Sequence, residues 1–177
     1  MMRATVLLVL ILGAARGDDL KPGLIGEYYN IGTEAREFPY LASNHRPLLR
    51  RIDAEINWNA SQDEFAGSGL ADHFCVRWTG LLRVPNGGIH TFYANSDDGS
   101  SLWIDGELVV DNGGLHALEE KSGRIDLKAG DHEVKIEFFE NDDKAVMIAS
   151  WEPPGQAKEV IPATALFHRR DPALDGR

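Results

Sequence analysis

The chain has 177 residues, with 18 basic and 28 acidic side chains and a formal net charge of −10 when histidines are neutral. A surface this acidic repels phosphate backbones and anionic lipid, which argues against nucleic acid as a partner and favours neutral ligands or cations; acidity kept only for solubility is the alternative. A single cysteine, Cys75, excludes an intramolecular disulfide.

In chain order, the basic start Met1–Arg3, the apolar run Ala4–Ala14 and the small residues Ala15 and Gly17 predict an export signal over residues 1–17, cleaved after Gly17. The apolar run is shorter than the roughly 20 residues of a membrane span, and no other segment reaches that length. The expectation is therefore a secreted, periplasmic or cell-surface protein without membrane insertion. Cys75 lies far from the cleavage point, so no lipid anchor is expected. Residues 1–17 carry only Arg3 and Arg16 as charges, so their removal leaves 16 basic against 28 acidic side chains, a net −12. The remaining chain of about 160 residues suffices for one domain without a disulfide staple. That domain is expected to span residues 18–168, with 169–177 as a flexible tail.

Short apolar or alternating runs bounded by Gly, Asn, Asp and Pro follow one another with no sustained helical period. They predict nine strands: Gly23–Tyr29, Arg51–Trp58, Phe74–Val84, Ile89–Asn95, Ser101–Ile104, Leu108–Asp111, Gly123–Leu127, His132–Glu140 and Ala145–Trp151. This spacing is that of an all-β fold, an antiparallel sandwich or barrel in a single domain. In His132–Phe138 the alternation assigns Val134, Ile136 and Phe138 to the core and Glu133, Lys135 and Glu137 to solvent. The Phe74–Leu82 run is apolar on both faces, which places it centrally with Cys75 as a small buried hydrophobe. Asp105-Gly106 reads as a tight type I′ hairpin turn and Asp111 as a turn residue. Residues 34–47 and 59–71 lack strand patterning and read as long surface connections. One more short apolar element, Val160-Ile161-Pro162, precedes the tail.

The stretch most informative about function is Asn95-Ser96-Asp97-Asp98-Gly99-Ser100-Ser101-Leu102-Trp103-Ile104-Asp105-Gly106. Adjacent aspartates normally point apart and repel. A turn that brings both onto one face calls for solvent or for a hard cation such as Ca²⁺, which takes six to eight oxygen ligands. Two solvated turn residues are the alternative at this point.

Gly26-Glu27-Tyr28-Tyr29, Arg77-Trp78-Thr79-Gly80, Ser96–Gly106, Asp111-Asn112, Ala129-Gly130-Asp131-His132, Glu137-Phe138-Phe139-Glu140-Asn141 and Trp151 occur in that order. Together they resemble the protective-antigen fourteen-kilodalton domain family, a lectin-like β-domain of an anthrax toxin component, yeast adhesins and bacterial glycosidase accessory modules. The resemblance covers Gly23 to Phe167. It implies a β-sandwich or barrel whose glycan-binding members hold one Ca²⁺ in a shallow pocket at one end. Two consecutive aspartates joined by a cis peptide ligate the metal there, and sugar hydroxyls complete its shell. Asp97 and Asp98 match that pair. The family's second metal loop falls on Asn141-Asp142-Asp143-Lys144, which makes Asn141 the candidate side-chain ligand and Asp143 its substitute. Trp58, Tyr40 and Phe65, in or near the long loops, are candidates for stacking on a sugar ring, with packing against the ends of the sandwich as the alternative.

His73, His90, His116 and His132 show no metal-type pairing and read as structural or solvated. Asn112–His116 opens no helix and is not a phosphate cradle. Glu137 and Glu140 could in principle form a glycosidase pair, but Glu137 and Glu133 fall on the solvent set of their strand, and no nucleophile with a base emerges elsewhere. The sequence thus predicts a non-enzymatic, exported module that binds carbohydrate or polysaccharide through Ca²⁺ held by Asp97, Asp98 and Asn141. A metal-free structural or protein-interaction domain is the alternative.

Overall fold

A computed structural model describes residues 19–41, 44–61 and 64–176. The predicted signal segment lies outside the described residues. The strands are β1 (Leu20–Pro22), β2 (Leu24–Asn30), β3 (Leu49–Asp53), β4 (Asn57–Ser61), β5 (Phe74–Val84), β6 (Gly88–Asp97), β7 (Ser100–Ile104), β8 (Glu107–Asn112), β9 (Glu119–Leu127), β10 (Gly130–Glu140), β11 (Ala145–Glu152), β12 (Glu159–Val160) and β13 (Leu166–Arg169). A 3₁₀ turn, Ala163–Ala165, precedes β13. Among the described residues no helix is long and apolar enough to cross a membrane.

Two antiparallel sheets form the expected sandwich. The large sheet runs β1-β13-β5-β10-β7-β8, with β2 beside β5 and β3 beside β2; the small sheet runs β12-β11-β6-β9, with β4 beside β11. β5 pairs along its whole length with β10 and is shared on its other side by β2 and β13. That central position explains its apolar composition on both faces. The core between the sheets contains Trp78, Phe92, Leu102, Ile136 and Phe138, all fully buried, with the inward alternation read for β10 intact. Asp105 (φ 50°) and Gly106 (φ 82°) form the β7–β8 turn with two left-handed residues, as a type I′ turn requires.

A second, smaller core lies on the outer face of the large sheet. Ile31, Ala35, Phe38 and Leu41 fold over Tyr29, Cys75 and Phe139. The segment read as a surface connection is thus partly a lid on the sheet, and it corrects one assignment: Glu137 is 7 % exposed rather than solvated. Its Oε1 accepts from Arg77, at 2.9 Å from Nε and 2.7 Å from an η nitrogen, while Lys135 Nζ lies 3.1 Å from Oε2. The Arg77 guanidinium in turn sits 5.2 Å from the Phe38 ring centre. Burial pushes the Cys75 thiol beneath this lid up to about 12, so it packs as a hydrophobe.

Three further expectations change. The strand read over Arg51–Trp58 is two strands in different sheets, because Asp53 and Ile56 are both buried although three residues apart, a spacing no single strand can place on one face. Phe65 is not a rim aromatic: it is 1 % exposed and lies 5.2 Å from Phe138 and 5.3 Å from Phe74, centre to centre. The tail predicted as flexible after His168 is pinned. Arg169 pairs with Leu20, Asp171 bridges to Arg50 at 2.7 Å, and Asp175 Oδ1 lies 3.0 Å from His168 Nε2.

Candidate metal centre

The topology brings two loops together at one end of the sandwich. β6 belongs to the small sheet and β7 to the large one, so the turn through Asp98 and Gly99 crosses between sheets. β10 and β11 are divided in the same way, so the 141–144 turn crosses too. Because β7 pairs with β10 (Ser100 opposite Phe138) and β6 with β11 (Asp97 opposite Val146), the two crossings lie side by side.

One carboxylate oxygen from each of Asp97, Asp98 and Glu140 lies within 4.8 Å of the others, and the Asp97–Asp98 peptide is cis. Asp98 and Glu140 are buried. Gly99 is confined to hydrogen: a Cβ there would run into the Phe139 ring and meet the Gly114 carbonyl at 2.6 Å. The aspartates are held by main-chain donors. The His116 N–H donates to Asp98 Oδ1 (3.2 Å) and the Asn141 N–H to Asp98 Oδ2 (3.0 Å), while the Leu118 N–H bonds Asp97. Asn112 anchors the loop that carries these donors, its carbonyl lying 2.9 Å from His116 Nε2.

Glu140 is the group the sequence reading passed over as a ligand. It follows Val134, Ile136 and Phe138 on the inward face of β10, so the same alternation, carried two residues further, points its side chain inward. Its Oε2 accepts from the Asp98 N–H at 3.0 Å, whereas its Oε1 is buried without a hydrogen-bond partner. Burial, and then the charge of Asp98, push its carboxyl up to about 9. Asp97 is likewise raised, first by burial and then by Asp98.

The remaining predicted residues are placed differently. Asn141 reaches Asp98 through its main chain; its amide oxygen accepts from the Ala35 N–H (3.1 Å) and its amide nitrogen donates to Asp142 (2.9 Å). Asp143 is not among the carboxylates that converge, although its charge contributes to raising Asp97. Trp58 packs its ring against the core, 6.2 Å from Phe65, and Tyr40 is 91 % exposed. His90 is buried beside Phe92 and Trp151, and His132 bonds Asp105.

The motif for PA14 domains matches residues 20–165, the greater part of the chain. The chain belongs to the PA14 domain family. It is 32 % identical over 146 residues to the anti-sigma-I factor RsgI3 of Acetivibrio thermocellus, a match that covers 82 % of this chain and 21 % of that protein. A solved anti-sigma factor domain-containing protein is 31 % identical, with a TM-score of 0.72 over 86 % of this chain and 50 % of the other. This PA14 domain thus spans about a fifth of the first relative and half of the second. The PA14 sugar-binding domain of an RTX adhesin shares the fold at 19 % identity, with a TM-score of 0.69 over 83 % of this chain and 98 % of that one.

Three oxygen-only donors, one of them a buried carboxylate oxygen without a partner, fit a hard divalent cation such as Ca²⁺ and offer nothing to a metal that prefers nitrogen or sulfur.

Proposed function

We propose that this PA14 domain is a carbohydrate-binding module of the cell exterior, in which Asp97, Asp98 and Glu140 hold Ca²⁺ and the metal presents open positions to the hydroxyls of a sugar. The observation that carries this reading is the partnerless, buried Oε1 of Glu140 beside two aspartates. Bound Ca²⁺ supplies a positive charge that turns three mutually repelling acids into a ligand set, and it lowers the cost of ionising Glu140. Neutral hydroxyls replace water on such a cation with little desolvation penalty. Asn141 serves by holding Asp98 through its N–H, and Asp143 adds negative potential at the rim. The role is binding rather than turnover: of the two glutamates that could have formed a glycosidase pair, Glu137 is committed to Arg77 and Lys135.

Calorimetric titration of chelator-stripped protein with CaCl₂, followed by a glycan array with and without the metal, tests the proposal. Saturable Ca²⁺ binding with metal-dependent glycan signal is expected; no Ca²⁺ binding would overturn it. A second reading, a metal-free protein-interaction module, draws on the 32 % identity to part of an anti-sigma factor, and a negative calcium titration would favour it.

A further inference from the structure

Two grooves lie on the outer face of the large sheet, and Trp103 lines both. The first, of about 470 Å³, has Thr79 and Leu81 of β5 among its lining and reaches His168 and Arg169 at its far end. The second, of about 500 Å³, lies between the 31–41 lid and the β7–β8 hairpin, with Phe38 and Ser101 in its walls and Gly99 and Gly114 at its upper end. Gly99 directly follows Asp98, so the second groove opens beside the metal centre. Trp103 and Ser101 are the outward-facing residues of β7, and the indole N–H donates to Ser101 Oγ at 3.0 Å. Lys135, directly opposite Trp103 on β10, lies across the junction with its ammonium 4.3 Å from the Trp103 ring centre. From Ser100 to Ile104 the trough follows the strand for about 13 Å at the ordinary rise per residue, and it reaches the β7–β8 turn at Gly106.

We infer that these two grooves form one extended subsite for a polysaccharide chain that leads away from the metal, so that the domain grips several consecutive sugars rather than a terminal residue alone. The proposal rests on the carbohydrate reading of the metal centre and adds the length of the ligand to it. The lining chemistry selects the occupant. Charges of both signs face the trough, Arg36, Lys135 and Arg169 against Glu37, Asp111, Glu133 and Glu137, which favours a neutral ligand over a polyanion. Aromatic surface at Trp103 and Phe38 interleaved with hydroxyl and charged groups matches a ligand with apolar ring faces and polar edges. An added peptide strand would need unpaired main-chain groups at a sheet edge. Here the floor is β5, β10 and β7, each paired on both sides.

The test uses size ladders of neutral oligosaccharides, one to six residues long, in glucose, mannose, galactose and xylose series, titrated in CaCl₂ and in EDTA. Affinity in at least one series is expected to rise by about tenfold or more from monomer to tetramer. Trp103→Ala and, independently, Thr79→Arg, which fills the first groove from an outward position without emptying the core, should each erase that gain and leave the CaCl₂ titration unchanged. Equal affinity at every length, binding of no ladder by calcium-loaded protein, or variants that keep the full gain would overturn the trough. A length-dependent gain that persists in EDTA, in a protein that takes up no calcium, would sink the metal reading and leave the trough standing.

Discussion

Asp53 and Glu140 are both buried carboxylates inside the same sandwich, yet the molecule treats them in opposite ways. Asp53 Oδ2 accepts from the Tyr28 hydroxyl at 2.6 Å and the Trp78 indole N–H at 2.7 Å, and its Oδ1 accepts from Arg51 Nε at 2.7 Å. Arg51 also reaches the Tyr28 hydroxyl, which burial and the Asp53 charge hold in its protonated, donating form. Glu140 has one donor, two aspartates for neighbours and an oxygen with no partner. A fully satisfied buried charge ties strands together; an unsatisfied one stores a demand that an external cation can meet. The first therefore reads as structure and the second as a binding site.

The comparison can be broken from either side. Asp53→Ala leaves a guanidinium, an indole N–H and a phenol without their acceptor, so urea unfolding should show a loss of about 3 to 5 kcal/mol in calcium and in chelator alike. A loss confined to one condition would mean that Asp53 belongs to the metal centre after all. The double change Asp97→Asn with Asp98→Asn should do the reverse. It leaves the metal-free chain folded, short of one acceptor for the His116 or Asn141 N–H, and removes the stabilisation that saturating calcium gives, about 2.7 kcal/mol at a concentration one hundred times the dissociation constant. Melting curves with and without CaCl₂ decide this.

Glu140→Gln sharpens the contrast further, because its sign depends on the metal. In chelator the wild-type carboxyl titrates well above its unfolded value. The stability that accompanies its neutral form is complete below the ordinary glutamate range near pH 4.3 and is lost as pH rises through about 9. Glutamine cannot ionise, so the variant should lack that decline and exceed the wild type at pH 9 by about 1 to 3 kcal/mol while failing to bind calcium. A wild-type protein whose chelated stability is flat between pH 5 and 9 would show that Glu140 is not confined as described.

How much of this could be read from the chain depends on whether the determinant is local. The strands around β10 and the Asp105-Gly106 turn follow from alternation and from one dipeptide, and the Asp97-Asp98-Gly99 turn stands out by composition alone. Glu140 was legible in principle, since it continues the inward row of Val134, Ile136 and Phe138, but a carboxylate at the end of a core row is easily assigned to solvent. The burial of Glu137 was not legible, because it depends on where residues 31–41 fold back over the sheet. Nor was the break of Arg51–Trp58 into two sheets, which is set by the long-range acceptor role of Asp53 for Tyr28 and Trp78. The main-chain donors of His116 and Leu118 carry no side-chain signal at all, since any residue supplies an N–H.

A third carboxylate sets the lower limit of the comparison. Asp105, in the β7–β8 turn, accepts on both oxygens, at 2.6 Å from His132 Nδ1 and 2.8 Å from the Glu133 nitrogen, but its side chain is half exposed. Burial opposes the charge on His132, while the Asp105 hydrogen bond, the Lys128 carbonyl and the charges of Asp105 and Asp131 outweigh it, so the imidazole is raised above its ordinary value. The stability this adds is fully present below the unfolded histidine value near 6.5 and is lost as pH rises through the folded one. Solvent screens an exposed pair, so the advantage of wild type over His132→Gln should shrink by less than about 1 kcal/mol between pH 5.5 and 8.5, and shrink further in high salt. An advantage that grows with pH would reverse the assigned sign. One as large as that of Asp53 would mean that burial is not what separates Asp105 from Asp53, since both oxygens of each accept hydrogen bonds and Asp105 differs chiefly in its access to water.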